Sequence, residues 1–259
     1  MKIGTILTNT FPYHLIFTNT FPYPLKDSTR SNRFPKEPLD IVKDALIYDD
    51  SIDILLAPEW FLNASGRAFS KSEFEDLEFR ITDLSSIYPD KLLIPGSVVW
   101  HQNNYLFNTA FISSFGKTQK YFKKTSGGDS IWRNSSEIKF FPHYNQGKFA
   151  WKNYNVGLEI CADHKIKTLK EDLNFAFDLQ IVISCSMSLR DYAITVVDKG
   201  LVMICDGYLN YSGVFQIEHC KDFSWNLNPN FNWLAAESSE TVLNNNVRYV
   251  IYEVETLIK

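Results

Sequence analysis

An apolar run ends abruptly in a cysteine within the stretch Val156-Gly157-Leu158-Glu159-Ile160-Cys161-Ala162-Asp163. An apolar run of this length is typical of a buried strand, so Cys161 is expected at the point where the strand ends. Free cysteines are among the most buried residue types, and most of them are inert. Taken alone, Cys161 is therefore interpreted as a small core residue, and a role as nucleophile requires other groups beside it.

Two earlier predicted strand ends also deliver a charged residue. Glu59 follows Asp53–Pro58, and Lys123 follows Gln119–Phe122. An acid at the end of a buried strand has to be solvated, paired or catalytically active. Lys123 alone also fits a solvated lysine cluster at the end of a hairpin. A glutamate, a lysine and a cysteine at three strand ends together predict one catalytic site made of Glu59, Lys123 and Cys161.

The composition limits the class of protein. The chain has 259 residues, 45% of them hydrophobic, and a formal net charge of −4 without a basic block. One domain spanning residues 1–259 is expected, and nucleic acid is not an expected partner. The sequence contains no apolar stretch of membrane-spanning length and no conventional signal segment, which predicts a cytoplasmic protein without membrane contact. A specialised bacterial secretion route is also compatible with the sequence.

The cysteines indicate neither a metal site nor a disulfide framework. Cys161, Cys185, Cys205 and Cys220 form no CxxC pair, and their spacing to histidines does not suit zinc. A reducing compartment is the simplest interpretation. No metal and no organic cofactor are expected.

From about Pro38 the apolar pattern alternates between helical and extended spacing. Helices are predicted around Leu39–Leu46 and, capped by Ser72, around Phe74–Tyr88. Asn103-Asn104 predicts a tight turn between antiparallel strands. Other predicted elements are strands at Ile52–Ala57, Leu92–Trp100, Tyr105–Ser113, Thr118–Phe122, Asn155–Ile160, Leu179–Ser184, Leu201–Cys205 and Val247–Val254, and helices at Lys165–Phe177 and Arg190–Lys199. The alternation predicts an α/β fold with two mixed sheets between helices.

Three segments do not fit this alternation. Thr8-Asn9-Thr10-Phe11-Pro12-Tyr13 recurs as Thr18-Asn19-Thr20-Phe21-Pro22-Tyr23, and this period is too short for a solenoid. We interpret the repeat as a duplication in a surface loop. The polar segment Thr125–Tyr144 reads as a long loop, a kind of segment that is often functional. The Asn- and Trp-rich stretch Ser224–Trp233 has no assigned role.

The three strand ends together resemble the motifs of the nitrilase superfamily of carbon-nitrogen hydrolases, whose members carry a glutamate, a lysine and a cysteine in this chain order. The matching segments are Leu55–Phe61, Tyr121–Lys123 and Val156–Asp163, supported by Leu93–Ser97 and Tyr105–Ala110. The resemblance implies a four-layer αββα sandwich with two mixed sheets. It also implies that the three motifs meet at one end of these sheets.

The resemblance further implies a role for each residue. Cys161 would attack an amide or nitrile carbon and form a thioester acyl-enzyme, which water then hydrolyses. Glu59 would be the general base, and Lys123 would stabilise the oxyanion together with the backbone N–H of Ala162. Many family members carry a second glutamate between the lysine and cysteine motifs, and Glu137 is the best match to it.

The chain departs from the family pattern where substrate contacts are expected. The resemblance implies such contacts at Trp60, Trp132 and Ser184. The family usually follows its nucleophile with an aromatic residue, an acid and an Arg-Phe-Pro-like turn, whereas this chain continues with Ala162–Ile166. Ser184–Met187 also lacks the tryptophan that is common in the family at this place. The substrate of a known branch is therefore not transferred to this chain.

Three functions stay open. The first is hydrolysis of a non-peptide carbon-nitrogen bond in a small linear amide, carbamoyl or nitrile compound, by a homodimer or larger homo-oligomer of the kind usual in the family. The second is a catalytically silent binding or effector protein on the same scaffold, and the third is acyl transfer with the same triad. A dyad of Cys161 and His164 is an alternative way to activate the thiol, although Asp163 is expected to cap a helix there.

Overall fold

The computed structural model describes residues 1–8, 37–63, 67–132, 136–143, 147–170, 176–219, 231–244 and 247–254. The duplicated Thr-Asn-Thr-Phe-Pro-Tyr segment lies outside these residues apart from Thr8, and so does Ser224–Asn230 of the Asn- and Trp-rich stretch. In chain order the elements are β1 Lys2–Thr8, α1 Pro38–Tyr48, β2 Ile54–Leu56, β3 Phe69–Ser70, α2 Lys71–Ile87, β4 Leu92–Ile94, β5 Ser97–Gln102, β6 Tyr105–Ser114, β7 Lys117–Phe122, β8 Lys139–Phe140, β9 Lys148–Trp151, β10 Tyr154–Ile160, α3 Ala162–Lys165, β11 Phe177–Ser184, β12 Val196–Asp206, β13 Gly213–His219, β14 Phe231–Ala235, β15 Glu237–Asn244 and β16 Val247–Glu253.

The described strands form two mixed sheets. The larger sheet has the order β15-β16-β1-β2-β4-β6-β5-β3, with β7 and β8 also pairing with β6, and the smaller has the order β14-β13-β12-β11-β10-β9. Strands β1, β2 and β4 run parallel, as do β10, β11 and β12. The carboxyl ends of neighbouring parallel strands share one edge of a sheet, which is where open α/β sheets place their ligands.

An apolar core fills the space between the two sheets. Ile54 and Ile94 of the larger sheet belong to the same buried cluster as Leu158, Ile181 and Met203 of the smaller one. Successive side chains of a strand point to opposite faces of its sheet. Since Leu158 faces this core, its neighbour Glu159 lies on the outer face of β10.

Helices α1 and α2 cover the outer face of the larger sheet, where their apolar residues join a second buried cluster. Helix α2 begins with a capping box, in which Ser70 accepts from the N–H of Glu73 while the Glu73 side chain accepts from the N–H of Ser70. The prediction that Ser72 caps this helix is therefore wrong, because the glutamate that completes the box lies three residues after Ser70. Among the described residues, no helix has the length and apolar character needed to cross a membrane.

The outer face of the smaller sheet carries less helix than the sequence predicts. Helix α3 has four residues, and only a 3-10 turn at Asp191–Ala193 precedes β12, which begins at Val196. The helix predicted at Lys165–Phe177 is wrong for its described residues, because residues 166–170 form turns and Phe177 begins β11, while residues 171–175 lie outside the described part of the chain. The helix predicted at Arg190–Lys199 is wrong, because its residues form the 3-10 turn and the start of β12. The α/β sandwich of two mixed sheets is confirmed.

Candidate active site

Contacts with both sheets hold Glu59 just beyond the end of β2. The side chain is buried, with 1% of its surface exposed. Its backbone N–H donates to the Ser184 carbonyl at the end of β11, across 3.3 Å, and the Trp60 N–H donates to Ser97 Oγ across 2.9 Å. Trp60 has a positive φ of 62°. These bonds set the direction in which the Glu59 side chain leaves the strand.

Glu59, Asn108, Lys123 and Asp129 form a buried polar group that we call the inner cluster. Lys123 follows β7, and its Nζ lies 2.7 Å from Glu59 Oε1 and 2.9 Å from Asp129 Oδ2. Asn108 Nδ2 donates to Glu59 Oε1 across 2.9 Å and to Asp129 Oδ1 across 2.7 Å. One ammonium group is therefore shared between two carboxylates, and an amide bridges the same two carboxylates.

Cys161 lies beside the inner cluster at the end of β10. Its backbone has φ 45° and ψ −103°, and conformations of this kind cost non-glycine residues about 1–3 kcal/mol. The backbone N–H donates to the Ile183 carbonyl across 2.9 Å. The carboxyl group of Glu59 raises the pKa of the thiol and the backbone of Cys185 lowers it, so both groups lie near the sulfur. The structure thus brings Glu59, Lys123 and Cys161 together.

The environment of the site shifts the pKa values of these groups in different ways. Burial, assisted by the charge of Asp129 and opposed by Lys123, raises the pKa of Glu59 to about 7. Burial and the Glu59 charge raise the pKa of Cys161, so the sulfur is a thiol at neutral pH. Burial opposes the charge of Lys123, yet Asp129 and Glu59 outweigh it and raise the pKa of the ammonium. Glu59 is the member of this group that changes protonation near neutrality.

Comparison with solved structures relates the chain to nitrilase-superfamily proteins. A cysteine-to-alanine mutant of the Nesterenkonia AN1 amidase from this superfamily matches with a TM-score of 0.55 and 13% identity, over 98% of this chain and 90% of that one. Saccharomyces cerevisiae Nit3, of branch 10 of the superfamily, matches with a TM-score of 0.52 and 14% identity, over 97% and 90%. The chain has the nitrilase-superfamily fold. No protein-family model and no curated protein sequence matches it.

Within this fold, the structure corrects the prediction for Glu137. That residue is exposed and lines a surface depression beside the Asn103-Asn104 turn. Asp129 is instead the second acid beside Lys123, and it is fully buried. The 3-10 turn at Asp129–Trp132 turns it inward, and Gly127 N–H donates to its Oδ2 across 3.2 Å. Opposing the effect of burial, Lys123 lowers the pKa of Asp129, which therefore stays ionised.

Asp163, two residues after Cys161, connects the nucleophile turn to the lysine segment. It accepts hydrogen bonds from Tyr121 Oη across 2.7 Å and from the backbone N–H groups of Lys124 and Thr125. Burial raises the pKa of Asp163 to about 6. The prediction that Asp163 caps a helix is wrong, because its oxygens bind the loop after β7.

The alternative dyad of Cys161 and His164 does not form. His164 is fully buried, and its Nδ1 lies 2.6 Å from Glu159 Oε2. Its Nε2 accepts the N–H of Arg190 across 3.1 Å. Both ring nitrogens are occupied, so His164 has no nitrogen free to accept a proton from the thiol.

Two of the three residues predicted to contact substrate use their side-chain polar groups for hydrogen bonds within the protein. Trp60 is buried and donates its indole N–H to Asp129 Oδ1 across 3.2 Å. Trp132 packs edge-on against Trp60, with 5.7 Å between ring centroids. Within the described chain its buried Nε1 has no hydrogen-bond partner. The Ser184 hydroxyl donates to Asp206 Oδ2 across 2.7 Å. The backbone carbonyl of Ser184 accepts the N–H of Glu59 and so helps to hold that residue.

The small side chain of Ala162 leaves room for the loop that follows Lys123. A Cβ atom added to Gly127 would lie 2.9 Å from the Ala162 Cβ and 3.4 Å from Lys123 Nζ. A larger residue at either position would therefore push the loop away from the site. Among the described residues, the side chains form no group of three or more His, Cys, Asp or Glu able to hold a metal ion.

Proposed function

We propose that this protein is a cysteine-dependent hydrolase of a non-peptide carbon-nitrogen bond, acting on a small linear amide. The observation that carries the proposal is the meeting of a strained cysteine, a carboxylate with a pKa near neutrality and a buried ammonium group. Each supplies one requirement of acyl transfer, namely a nucleophile, a base and an oxyanion partner.

In the first half-reaction, ionised Glu59 removes the proton of the Cys161 thiol as the sulfur attacks the amide carbon. The C–S bond forms, and the carbonyl oxygen becomes an oxyanion. Glu59 then gives the proton to the amide nitrogen, the C–N bond breaks, and ammonia leaves a thioester on Cys161. The raised pKa of Glu59 suits both steps, because the group accepts and releases a proton near neutral pH.

Lys123 and Ala162 would hold the oxyanion. An ammonium group has three N–H donors, and Lys123 uses two of them for Glu59 and Asp129. In the described part of the chain, its third donor and the N–H of Ala162 have no hydrogen-bond acceptor. Two donors next to the sulfur can therefore receive the oxygen that becomes negative in the transition state.

In the second half-reaction, Glu59 accepts a proton from water, which attacks the thioester carbon. The C–S bond breaks, the carboxylic acid leaves, and Cys161 regains its thiol proton. Overall, an amide and water give a carboxylic acid and ammonia. One structural neighbour is the Nesterenkonia amidase in complex with butyramide, with a TM-score of 0.55, and this supports a short linear amide as the substrate class.

Ammonia release from acetamide, propionamide and butyramide tests the proposal. Wild-type protein should release ammonia from at least one of them, and Cys161→Ala should release none while it stays folded. Cys205→Ala is the matched control, because Cys205 lies in the core between the sheets. An active Cys161→Ala variant would show that the proposed mechanism is wrong.

The same experiment separates the two other functions. A silent binding protein releases no ammonia from any amide, and its Cys161 reacts with iodoacetamide no faster than Cys185 or Cys205. An acyltransferase consumes the amide but, when an amine such as hydroxylamine is supplied, gives the acylated amine in preference to the acid. Assembly into a homodimer or larger homo-oligomer stays a prediction.

A further inference from the structure

A second buried polar group, which we call the outer cluster, lies on the outer face of β10. Its members are Glu159, His164, Thr168 and Gln180. Glu159 Oε1 accepts from Thr168 Oγ1 across 3.0 Å and from the Leu169 N–H across 3.1 Å. Glu159 Oε2 lies 2.6 Å from His164 Nδ1 and accepts from Gln180 Nε2 across 3.1 Å. The carboxylate thus has four partners in an otherwise apolar layer.

The hydrogen bonds fix the tautomer of His164. The backbone N–H of Arg190 can only donate, so His164 Nε2 must be the acceptor. The ring proton of the neutral tautomer therefore sits on Nδ1 and is donated to Glu159. Glu159 lies two residues before Cys161 and His164 three residues after it, so this bond closes a ring of chain around the nucleophile.

The outer cluster also holds the segment that follows β11. His164 binds the Arg190 N–H, and Gln180 bonds both to the Ala193 carbonyl, across 3.0 Å, and to the Thr195 N–H, across 2.8 Å. The start of the same segment brings the backbone of Cys185 near the Cys161 sulfur, where it lowers the pKa of the thiol. The carboxylate therefore connects the backbone before the nucleophile, the backbone after it and the loop that lies near its sulfur.

Burying a carboxylate and an imidazole costs desolvation free energy, and apolar side chains of similar volume often give equal or greater stability. A fully paired polar group does, however, specify one arrangement of its partners. The Cys161 backbone is held at φ 45°, a conformation that persists only when the surroundings enforce it. The bond between Glu159 and His164 joins the chain on the two sides of Cys161 and so holds this conformation.

We propose that Glu159 and His164 are positioning residues, which hold the strained Cys161 turn and the Cys185 backbone in the arrangement that makes the thiol reactive. This inference rests on the proposed function, because it concerns the same nucleophile. Neither side chain touches the substrate. Both act through the backbone of Cys161 and through the segment after β11.

Alkylation of Cys161 by iodoacetamide tests this role without any substrate. In Glu159→Gln, the new amide NH₂ faces either the donors of His164 and Gln180 or the N–H of Leu169, so in each orientation a donor loses its acceptor and the closed arrangement is lost. We expect alkylation at Cys161 to slow about tenfold across the pH range, as a displaced reactive group would. His164→Asn keeps a donor toward Glu159 and loses the acceptor for Arg190, so its rate should lie between those of wild type and Glu159→Gln.

Asp178→Asn is the matched control. Asp178 is also a buried carboxylate on β11, and it accepts the Asn155 N–H across 2.7 Å at the far end of the same strand pair. It should leave the alkylation rate of Cys161 unchanged. A Glu159→Gln rate equal to wild type would overturn the inference, and so would rates in Glu159→Gln and Asp178→Asn that fall together with the unfolding midpoint. If wild-type Cys161 itself reacts no faster than Cys185, the proposed function fails, and the inference fails with it.

Discussion

Two buried polar clusters flank Cys161 and differ in how completely their hydrogen-bonding groups are paired. In the outer cluster, every polar side-chain atom of Glu159, His164 and Gln180 has a partner. In the inner cluster, Asn108 Oδ1 has no partner among the described residues, and Lys123 has an N–H to spare. Native structures pair nearly all buried polar groups. Under the proposed function, a reacting molecule would complete the bonding of the inner cluster.

The largest effect is expected from removing the charge that the inner cluster shares. Lys123→Met leaves Glu59 and Asp129 facing each other without a cation, so activity should be lost and unfolding made easier by about 3–5 kcal/mol. Lys120→Met is the control on β7, just before Lys123, because Lys120 pairs with Glu78 near the surface, where an ion pair contributes about 0–1 kcal/mol. Urea unfolding of both variants measures the difference, and equal losses would contradict the distinction between the two sites.

The second prediction concerns pH. Glu59 acts as a base only when ionised, so kcat/KM for the amide should rise with pH through about 7. The negative charge of Asp129 helps to raise this pKa, and an acid with a lower pKa is ionised at lower pH. Asp129→Asn should therefore shift the rising limb to more acidic pH and lower the maximal rate. Glu137→Gln should leave the pH profile unchanged. A rising limb that moves to higher pH in Asp129→Asn would contradict the effect assigned to the Asp129 charge.

A smaller effect is expected where the loop after Lys123 touches the site. Gly127→Ala places a methyl group against Ala162 and close to Lys123 Nζ, so kcat should fall about tenfold. Gly116→Ala serves as the control, since its φ of 66° makes alanine unfavourable at a turn that bonds to Ser85 on α2. Steady-state kinetics and thermal unfolding should show a loss of rate in the first variant and mainly a loss of stability in the second.

The smallest effect is expected at the tether between the nucleophile turn and the lysine loop. Tyr121→Phe removes one of the hydrogen bonds to Asp163 and keeps the two from backbone N–H groups. The free energy of unfolding should fall by about 1–3 kcal/mol, with only a modest change in kcat. Abolished turnover in a folded Tyr121→Phe variant would mean that this phenol does more than tie the two segments together.

The sequence locates Glu59, Lys123 and Cys161 because each follows a predicted strand and the three segments together resemble the nitrilase motifs, and the two sheets then bring them together. Asp129 escaped prediction, since it lies in a polar loop without periodicity and its inward direction depends on a 3-10 turn. The pair Gly127-Gly128 just before it was a usable signal, because glycines allow a loop to approach a side chain closely. Glu137 was chosen from the same loop on chain order alone, which carries no information about burial.

The missing helices have a similar cause. The apolar residues after β10 and before β12 have helical spacing, but apolar side chains with this spacing can also pack onto a sheet from turns. Asp163 was expected to cap a helix because an aspartate at a helix start usually accepts hydrogen bonds from backbone N–H groups two or three residues further along the chain. In the fold it finds such groups on Lys124 and Thr125, which only the tertiary structure brings near.

The most direct test of the central claim is to trap the acyl-enzyme with p-nitrophenyl acetate. Wild-type protein should release a stoichiometric burst of nitrophenolate, and peptide mapping should place the acetyl group on Cys161. The burst should be absent in Cys161→Ala and in Lys123→Met. A burst that survives in Cys161→Ala, or acetyl groups spread evenly over Cys161, Cys185 and Cys205, would contradict the assignment of Cys161 as the nucleophile of an assembled site.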